Sequence, residues 1–494
     1  MVSMFLILVR VFQRTKKYVA VIIASIIFMI IQIENIVLIQ WTLAAGVLTM
    51  TAIFWVMTQP NYLSSIKKYI DYSIAIVILL LAYNIRGNVV IMAAPFAALV
   101  WSFNFLNEKS VCSKKTLIKY SIFPIVVVIG IVCVGILHKN AYDTEEWNKY
   151  DQYMSSRSSL VDYYGYPNYK EHKEIYDTLG ISKEVYTLLK SDYNIVLDDN
   201  INEETIIRLS EYAKQQYHEK NTLRYRMKNA VFTMYNTFVS EEYALINYFI
   251  IMVTLVCIFY AIKNQRLIFA IYIFCLHIGN MIIWLYLTLK GRMPYRVGYT
   301  LLCVVLIILL GWILQNRKLR NSMRFNNDSN IVKKLCIVFS MVLLLGIMVL
   351  NNWKVSEKSN SYEDKVRSKI EWYEFASSNT DKFYFTDFYS FLNYPEPFYA
   401  EVEKMQGNTL SFGGWYARNP LYYQKLQDYG IKDIKNALIS QDNVYYVCLS
   451  SRTKTVQNIV NYYKSINVSV KASKVDSIKV KDGATYLIYQ FAKK

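Results

Sequence analysis

Residues 267–314 read LIFAIYIFCLHIGNMIIWLYLTL, then KGRMPYR, then VGYTLLCVVLIILLGWIL: two apolar runs joined by a cationic link at 290–296. About 20 consecutive apolar residues cross the hydrocarbon core of a bilayer as a helix, and both runs are close to that length. In lipid a spanning segment must satisfy its own backbone polar groups, so the pair reads as a helical membrane hairpin.

Working outward, further apolar runs lie at 18–32, 36–57, 69–85, 89–105, 117–137, 245–262 and 335–350, which makes about nine spans with the first pair. The segment Asn84, Ile85, Arg86, Gly87, Asn88 is either a tight turn between two runs or a break within one longer helical unit. Residues 4–9 are too short to span, and no small-residue cleavage site follows them, so they do not read as a removable signal peptide. Two polar stretches interrupt the pattern. The expected organisation is a five-span membrane block at 1–137, an outer helical domain at 138–244, a four-span block at 245–350 and an outer α/β domain at 351–494. The fold class is thus an α-helical polytopic membrane protein carrying two polar domains.

Lys and Arg accumulate in cytoplasmic loops. With the N-terminus cytoplasmic, the inner segments hold Arg10, Arg14, Lys16, Lys17, Lys67, Lys68, Lys109, Lys114, Lys115, Lys119, Lys263, Arg266, Arg317, Lys318, Arg320, Arg324, Lys333 and Lys334. The short outer loops hold only Arg86, Lys290, Arg292 and Arg296. This bias predicts Lys115 and Lys318 inside, with Tyr166, Trp415 and both polar stretches extracytoplasmic. Stretches 138–242 and 351–494 carry net charges of −5 and +5, so the whole excess of +18 lies in the membrane portion. It is a topology signal with some attraction to anionic lipid heads, and it gives no support to nucleic-acid binding.

Cysteines and histidines point to no metal or redox chemistry. Cys133, Cys257, Cys275, Cys303 and Cys336 lie in or beside spans, Cys112 in an inner loop, and Cys448 alone in an outer domain. No CxxC or Cys/His metal spacing occurs. Of the four histidines, His277 falls within a span, where hydrogen bonding to a neighbouring helix competes with a functional role. No GxGxxG or P-loop is present, and no cofactor is expected.

In the first polar stretch, amphipathic patterns at 144–153, 170–179 and 203–217, with Ser182 as an N-cap, predict a mainly helical domain. Between them, 157–169 reads as a tyrosine-rich loop holding Arg157 and Asp162, suited to a sugar platform, a head-group contact or ordinary packing. The closing stretch predicts a helix at 362–377, strands at 383–387, 444–449, 468–475 and 485–491, and a helix at 453–466. Gly413 and Gly414 mark a sharp turn that carries Trp415. The two polar stretches are expected to pack against each other.

The link Lys290, Gly291, Arg292, Met293, Pro294, Tyr295, Arg296 breaks the charge rule, placing three cations on the outer side. Arginine forks pair with phosphate oxygens, so Arg292 and Arg296, with Lys290 and Arg86, form a candidate lipid-phosphate site. The competing role is snorkelling of the cations to head groups.

Three segments carry a resemblance: IQWTLAAG at 39–46, 157–169 followed by LGIS at 179–182, and GRMPYRV at 291–297. Together they resemble a group of uncharacterised polytopic proteins of Gram-positive bacteria, distantly similar to the GT-C class of integral-membrane glycosyltransferases. The resemblance implies a polyprenyl-phosphate-linked sugar donor, work in cell-envelope glycan assembly, and a catalytic acid in the first outer loop. That loop here is Glu34–Asn35, which implies a chain shortened at its N-terminus. Candidate general bases are Glu34, Asp143, Glu145, Glu146 and Asp162. The expected partners are a membrane lipid or lipid-linked sugar, and an envelope glycan or protein acceptor. The alternative is a non-catalytic envelope protein that binds lipid-linked glycan or protein partners. A transporter is disfavoured by the few charges within spans and by the lack of an internal repeat.

Overall fold

The computed structural model describes residues 1–60, 65–106, 114–316, 331–395 and 407–494, with the side chains of 65, 114–117, 119 and 331–341 outside that description. Lys109, Cys112, Arg317, Lys318, Arg320 and Arg324 therefore lie outside the described residues, as do the side chains of Lys114, Lys115, Lys119, Lys333, Lys334 and Cys336. The chain forms two compact units, 1–141 with 223–357 and 142–222 with 358–494.

The first is a helical membrane unit. It comprises α1 (Val2–Thr15), α2 (Tyr18–Val37), α3 (Trp41–Met57), α4 (Ser65–Leu106), α5 (Lys114–Tyr142), and, after the second unit's first segment, α10 to α14. These last are α10 (Leu223–Val239), α11 (Glu241–Lys263), α12 (Leu267–Leu289), α13 (Tyr295–Gln315) and α14 (Ile331–Ser377), the last continuing into the second unit. Among the described residues six helices are long and apolar enough to cross a membrane: α2, α4, α5, α11, α12 and α13. α3 is shorter, because Ile36 and Val37 belong to the end of α2 and the next helix begins only at Trp41.

The third and fourth expected spans fall together in α4. A straight helix would hold Tyr72 and Trp101 roughly 43 Å apart along its axis, yet their ring centroids lie 6.3 Å from each other. The chain therefore reverses, and the reversal is at Arg86, whose φ of −159° and ψ of 85° are extended rather than helical. The Asn84–Asn88 segment is thus a tight turn between two arms. α13 is the central helix. Residues from Gly298 to Trp312 are nearly all buried, as expected of a helix that is apolar around its whole circumference.

The second unit is α/β. Its first segment supplies α6 (Glu145–Ser158), α7 (Lys173–Thr178), α8 (Lys183–Thr187) and α9 (Glu203–Lys220). Asn202 caps α9 and Ser182 caps α8. The expected loop at 157–169 is helical in its first half: α6 continues to Ser158 and a wide turn at Ser159–Tyr164 runs to Gly165. The second segment holds β1 (Phe383–Thr386), α15 (Phe388–Phe391), β2 (Thr409–Ser411), α16 (Pro420–Asp428), α17 (Ile434–Ser440), β3 (Val444–Leu449), α18 (Lys454–Ser465), β4 (Val470–Lys479) and β5 (Thr485–Lys493). The sheet order is β2-β1-β3-β5-β4; β1 is parallel to β2 and β3, and the other pairings are antiparallel.

Side chains alternate across the strands. Phe383, Phe385, Val444, Tyr446 and Cys448 enter one core, while Tyr384 and Val447 face another built on Trp372 and Ala376 of α14. The first core also contains Tyr153, Tyr176, Leu188, Ile206 and Leu209. The two polar stretches consequently share one core.

Candidate functional site

At one end of the membrane unit the cationic link becomes a fixed turn. α12 stops at Leu289, Gly291 takes a φ of 93° that a side chain would disfavour, and Pro294 starts α13. The Tyr243 hydroxyl donates to the Tyr295 carbonyl at 3.2 Å, and the Tyr243 ring packs on Trp284 and Tyr295. Lys290 and Arg292 are exposed, and Arg296 is half-buried in the first turn of α13. The Lys290 ammonium lies 4.8 Å from the Tyr286 ring centroid.

Arg86 belongs to the same end. Phe103, in the second arm of α4, contacts Phe269 and Tyr272 near the start of α12, and Phe96 lies 3.8 Å from the position of a Cβ on Gly279. That arm runs antiparallel to α12, so the reversal at Arg86 lies where α12 finishes. Arg86 is exposed.

Of the five candidate carboxylates, Glu34 alone lies in this unit. The Tyr299 hydroxyl donates to the Ile31 carbonyl at 2.5 Å and Gln32 Nε2 to Cys303 Sγ at 3.2 Å, which lays the end of α2 along the start of α13. The other four lie in the second unit. Asp143 accepts from Asn148 at 3.1 Å. Glu145 pairs with Lys149 at 2.6 Å, one helical turn away, and the hydrogen bond from that ammonium holds its carboxyl below the usual range. Glu146 is exposed in the first turn of α6, where it complements the helix dipole. Asp162 accepts from Ser158 at 2.8 Å. His277 meets Thr254 of the neighbouring helix at 3.0 Å.

A second constellation stands at the carboxyl edge of the sheet. β1 lies between β2 and β3, so the loops after β1 and β3 diverge, and such switch points in α/β sheets form ligand crevices. Asp387 directly follows β1 and is 1% exposed. It accepts from the backbone of Ser390 at 2.8 Å, from Ser390 Oγ at 2.6 Å and from Arg452 Nε at 2.7 Å. Ser390 Oγ in turn accepts from the Leu449 amide at 2.9 Å, tying the end of β3 to that of β1. Arg452 also faces Asp192 at 3.8 Å, and Asn458 donates to Asp192 at 2.8 Å. Burial pushes the Asp192 carboxyl up, against the opposing pull of Asn458 and Arg452.

Aromatic rings flank this pair. The Arg452 guanidinium lies 5.0 Å from the Tyr389 ring, Tyr389 packs on Phe388 at 5.2 Å, and Phe388 meets Trp415 at 5.4 Å. Tyr193 packs on Phe388 at 4.8 Å, and its hydroxyl accepts from Arg157, a residue only 3% exposed. A Cβ on Gly413 would overlap the Tyr193 carbonyl oxygen, and Gly414, with φ of 91°, lies under the Phe388 ring. The two glycines let the chain after β2 pass this close and turn Trp415 and Tyr416 outward, 46% and 72% exposed.

Gly413→Ala should cost about 1–3 kcal/mol, since the obstacle is backbone and cannot rotate away. Cys448 is the built-in reporter: it is the one cysteine in the second unit, it is buried, and burial pushes its thiol up to about 12. Native-state thiol labelling of Cys448 should accelerate in the variant; an unchanged rate would refute the steric account.

Asp387, Arg452 and Asp192 were not among the sequence candidates. The available signal was Phe383, Tyr384, Phe385, Thr386, Asp387: a buried-type strand ending on a carboxylate in an α/β pattern. Comparison of the chain with protein-family models, curated proteins and solved structures finds no match.

Proposed function

We propose that the protein is a GT-C-like membrane glycosyltransferase that holds a polyprenyl-phosphate-linked sugar at the cationic end of its membrane unit, with that end extracytoplasmic and the N-terminus cytoplasmic. The carrying observation is that the end of α2, which holds Glu34, lies along the first turns of α13, which hold Arg296, at the end shared by Lys290, Arg292 and Arg86. Arg292 and Arg296 offer planar forks to the phosphate oxygens and offset the charge that grows on the leaving group. Glu34 takes the proton of an acceptor hydroxyl as its oxygen bonds to the anomeric carbon. The bond from that carbon to the phosphate oxygen breaks, and polyprenyl phosphate leaves with the electron pair.

Binding of a short-chain polyprenyl phosphate to the protein in nanodiscs tests the site. Arg292→Lys keeps the charge but loses the fork, so affinity should fall several-fold, and Arg292→Ala should lower it by roughly tenfold or more. Normal binding by Arg292→Ala would remove the site. Glu34→Gln should bind the lipid as the native protein does while losing transfer by on the order of 10²-fold or more. Lipid binding by the native protein without sugar transfer would instead favour the non-catalytic lipid-binding alternative.

A further inference from the structure

The edge of the sheet in the second unit has the makings of a separate binding site. Three strand ends deliver its parts: Trp415 and Tyr416 after β2, Asp387 and Tyr389 after β1, and Arg452 after β3. Asp387 engages Arg452 through Nε and Nη2, at 2.7 and 3.4 Å, and Asp192 also faces Nη2. Nη1 makes no hydrogen bond among the described residues, and the side chain is 27% exposed. A guanidinium fixed on one side and open on the other presents donors in a set direction. Beside it runs the row Tyr389, Phe388, Trp415, with successive centroids 5.2 and 5.4 Å apart.

Charge decides the ligand class. Asp387, Asp192 and Asp162 balance Arg452, Arg157 and Lys454, so the cluster offers no net positive charge to a phosphate or carboxylate. A pyranose has an apolar C–H face and a rim of hydroxyls, which suits aromatic rings bordered by a planar donor. Arg157, 3% exposed, anchors the Tyr193 hydroxyl, and the Tyr193 ring packs on Phe388 of the aromatic row at 4.8 Å.

We propose that this edge binds a neutral saccharide chain, with sugar rings laid on Trp415 and Tyr389 and hydroxyls held by Arg452. The proposal does not depend on the cationic turn of the membrane unit, and its failure would leave that site untouched. The test uses the full-length protein in nanodiscs with chitotetraose, cellotetraose and maltotetraose as probes, followed by saturation-transfer NMR and calorimetry. At least one probe should bind, and Trp415→Ala and Tyr389→Leu should each weaken it by roughly tenfold. Slow Cys448 labelling in both variants verifies that the unit remains folded; should Tyr389→Leu open it, Trp415→Ala, at a half-exposed position, decides alone. The proposal is overturned if no probe binds the native protein at about 10 mM, if Trp415→Ala binds as tightly as the native chain, or if inorganic phosphate occupies the edge in preference to every sugar.

Discussion

Asp387→Ala is expected to destabilise the second unit by about 3–5 kcal/mol, the range for removing one partner of a buried ion pair. The native carboxylate is 1% exposed and receives four donors from Ser390 and Arg452. Its loss leaves the guanidinium without its close carboxylate and the Ser390 amide without an acceptor. Because each 1.4 kcal/mol is a factor of ten, labelling of Cys448 through opening of the unit should accelerate by on the order of a hundredfold or more. Asp387→Ala/Arg452→Met should recover part of the loss, since replacing both charges by apolar groups removes the stranded cation. A single variant that labels at the native rate would show that the pair does not hold β1 to β3.

The second large effect belongs to the membrane unit. Arg10 is 1% exposed; it meets Asp71 at 2.9 Å and lies 3.7 Å from the Trp55 ring centroid. Gln59 also donates to Asp71 at 3.3 Å, while Arg14 donates to the Thr58 carbonyl at 2.6 Å. These contacts dock α1 and the start of α4 at the end of α3. Asp71→Ala should therefore cost about 3–5 kcal/mol, as the buried Arg10 cation loses this carboxylate among apolar helices. Heating the detergent-solubilised protein and measuring the monodisperse fraction gives the readout. The single variant should be lost at temperatures the native protein survives, while Arg10→Met/Asp71→Leu should survive better than the single variant. Equal heat resistance of Asp71→Ala and the native chain would refute the claim.

The sequence alone was sufficient for elements whose cause is local. α12 coincides with the apolar run at 267–289, because a bilayer-spanning segment must be long, apolar and internally hydrogen-bonded wherever it occurs. β3 coincides with 444–449 for a similar reason, a buried strand between turn residues. The Ser182 cap was legible from a hydroxyl placed just before a helical pattern. Tertiary structure decided the rest. The turn at Arg86 is certain only because Tyr72 meets Trp101; composition there permits a break as readily as a reversal. Asp387 reads in sequence as the end of a strand, and its partner Arg452 is 65 residues away, with Asp192 further still. That Glu34 lies in the membrane unit, near the start of α13, and Asp143, Glu145, Glu146 and Asp162 in the second unit, follows only from the folded chain. Spans and strands follow from solvation and backbone hydrogen bonding, which act over a few consecutive residues, whereas pairings across the chain depend on which surfaces the core brings together.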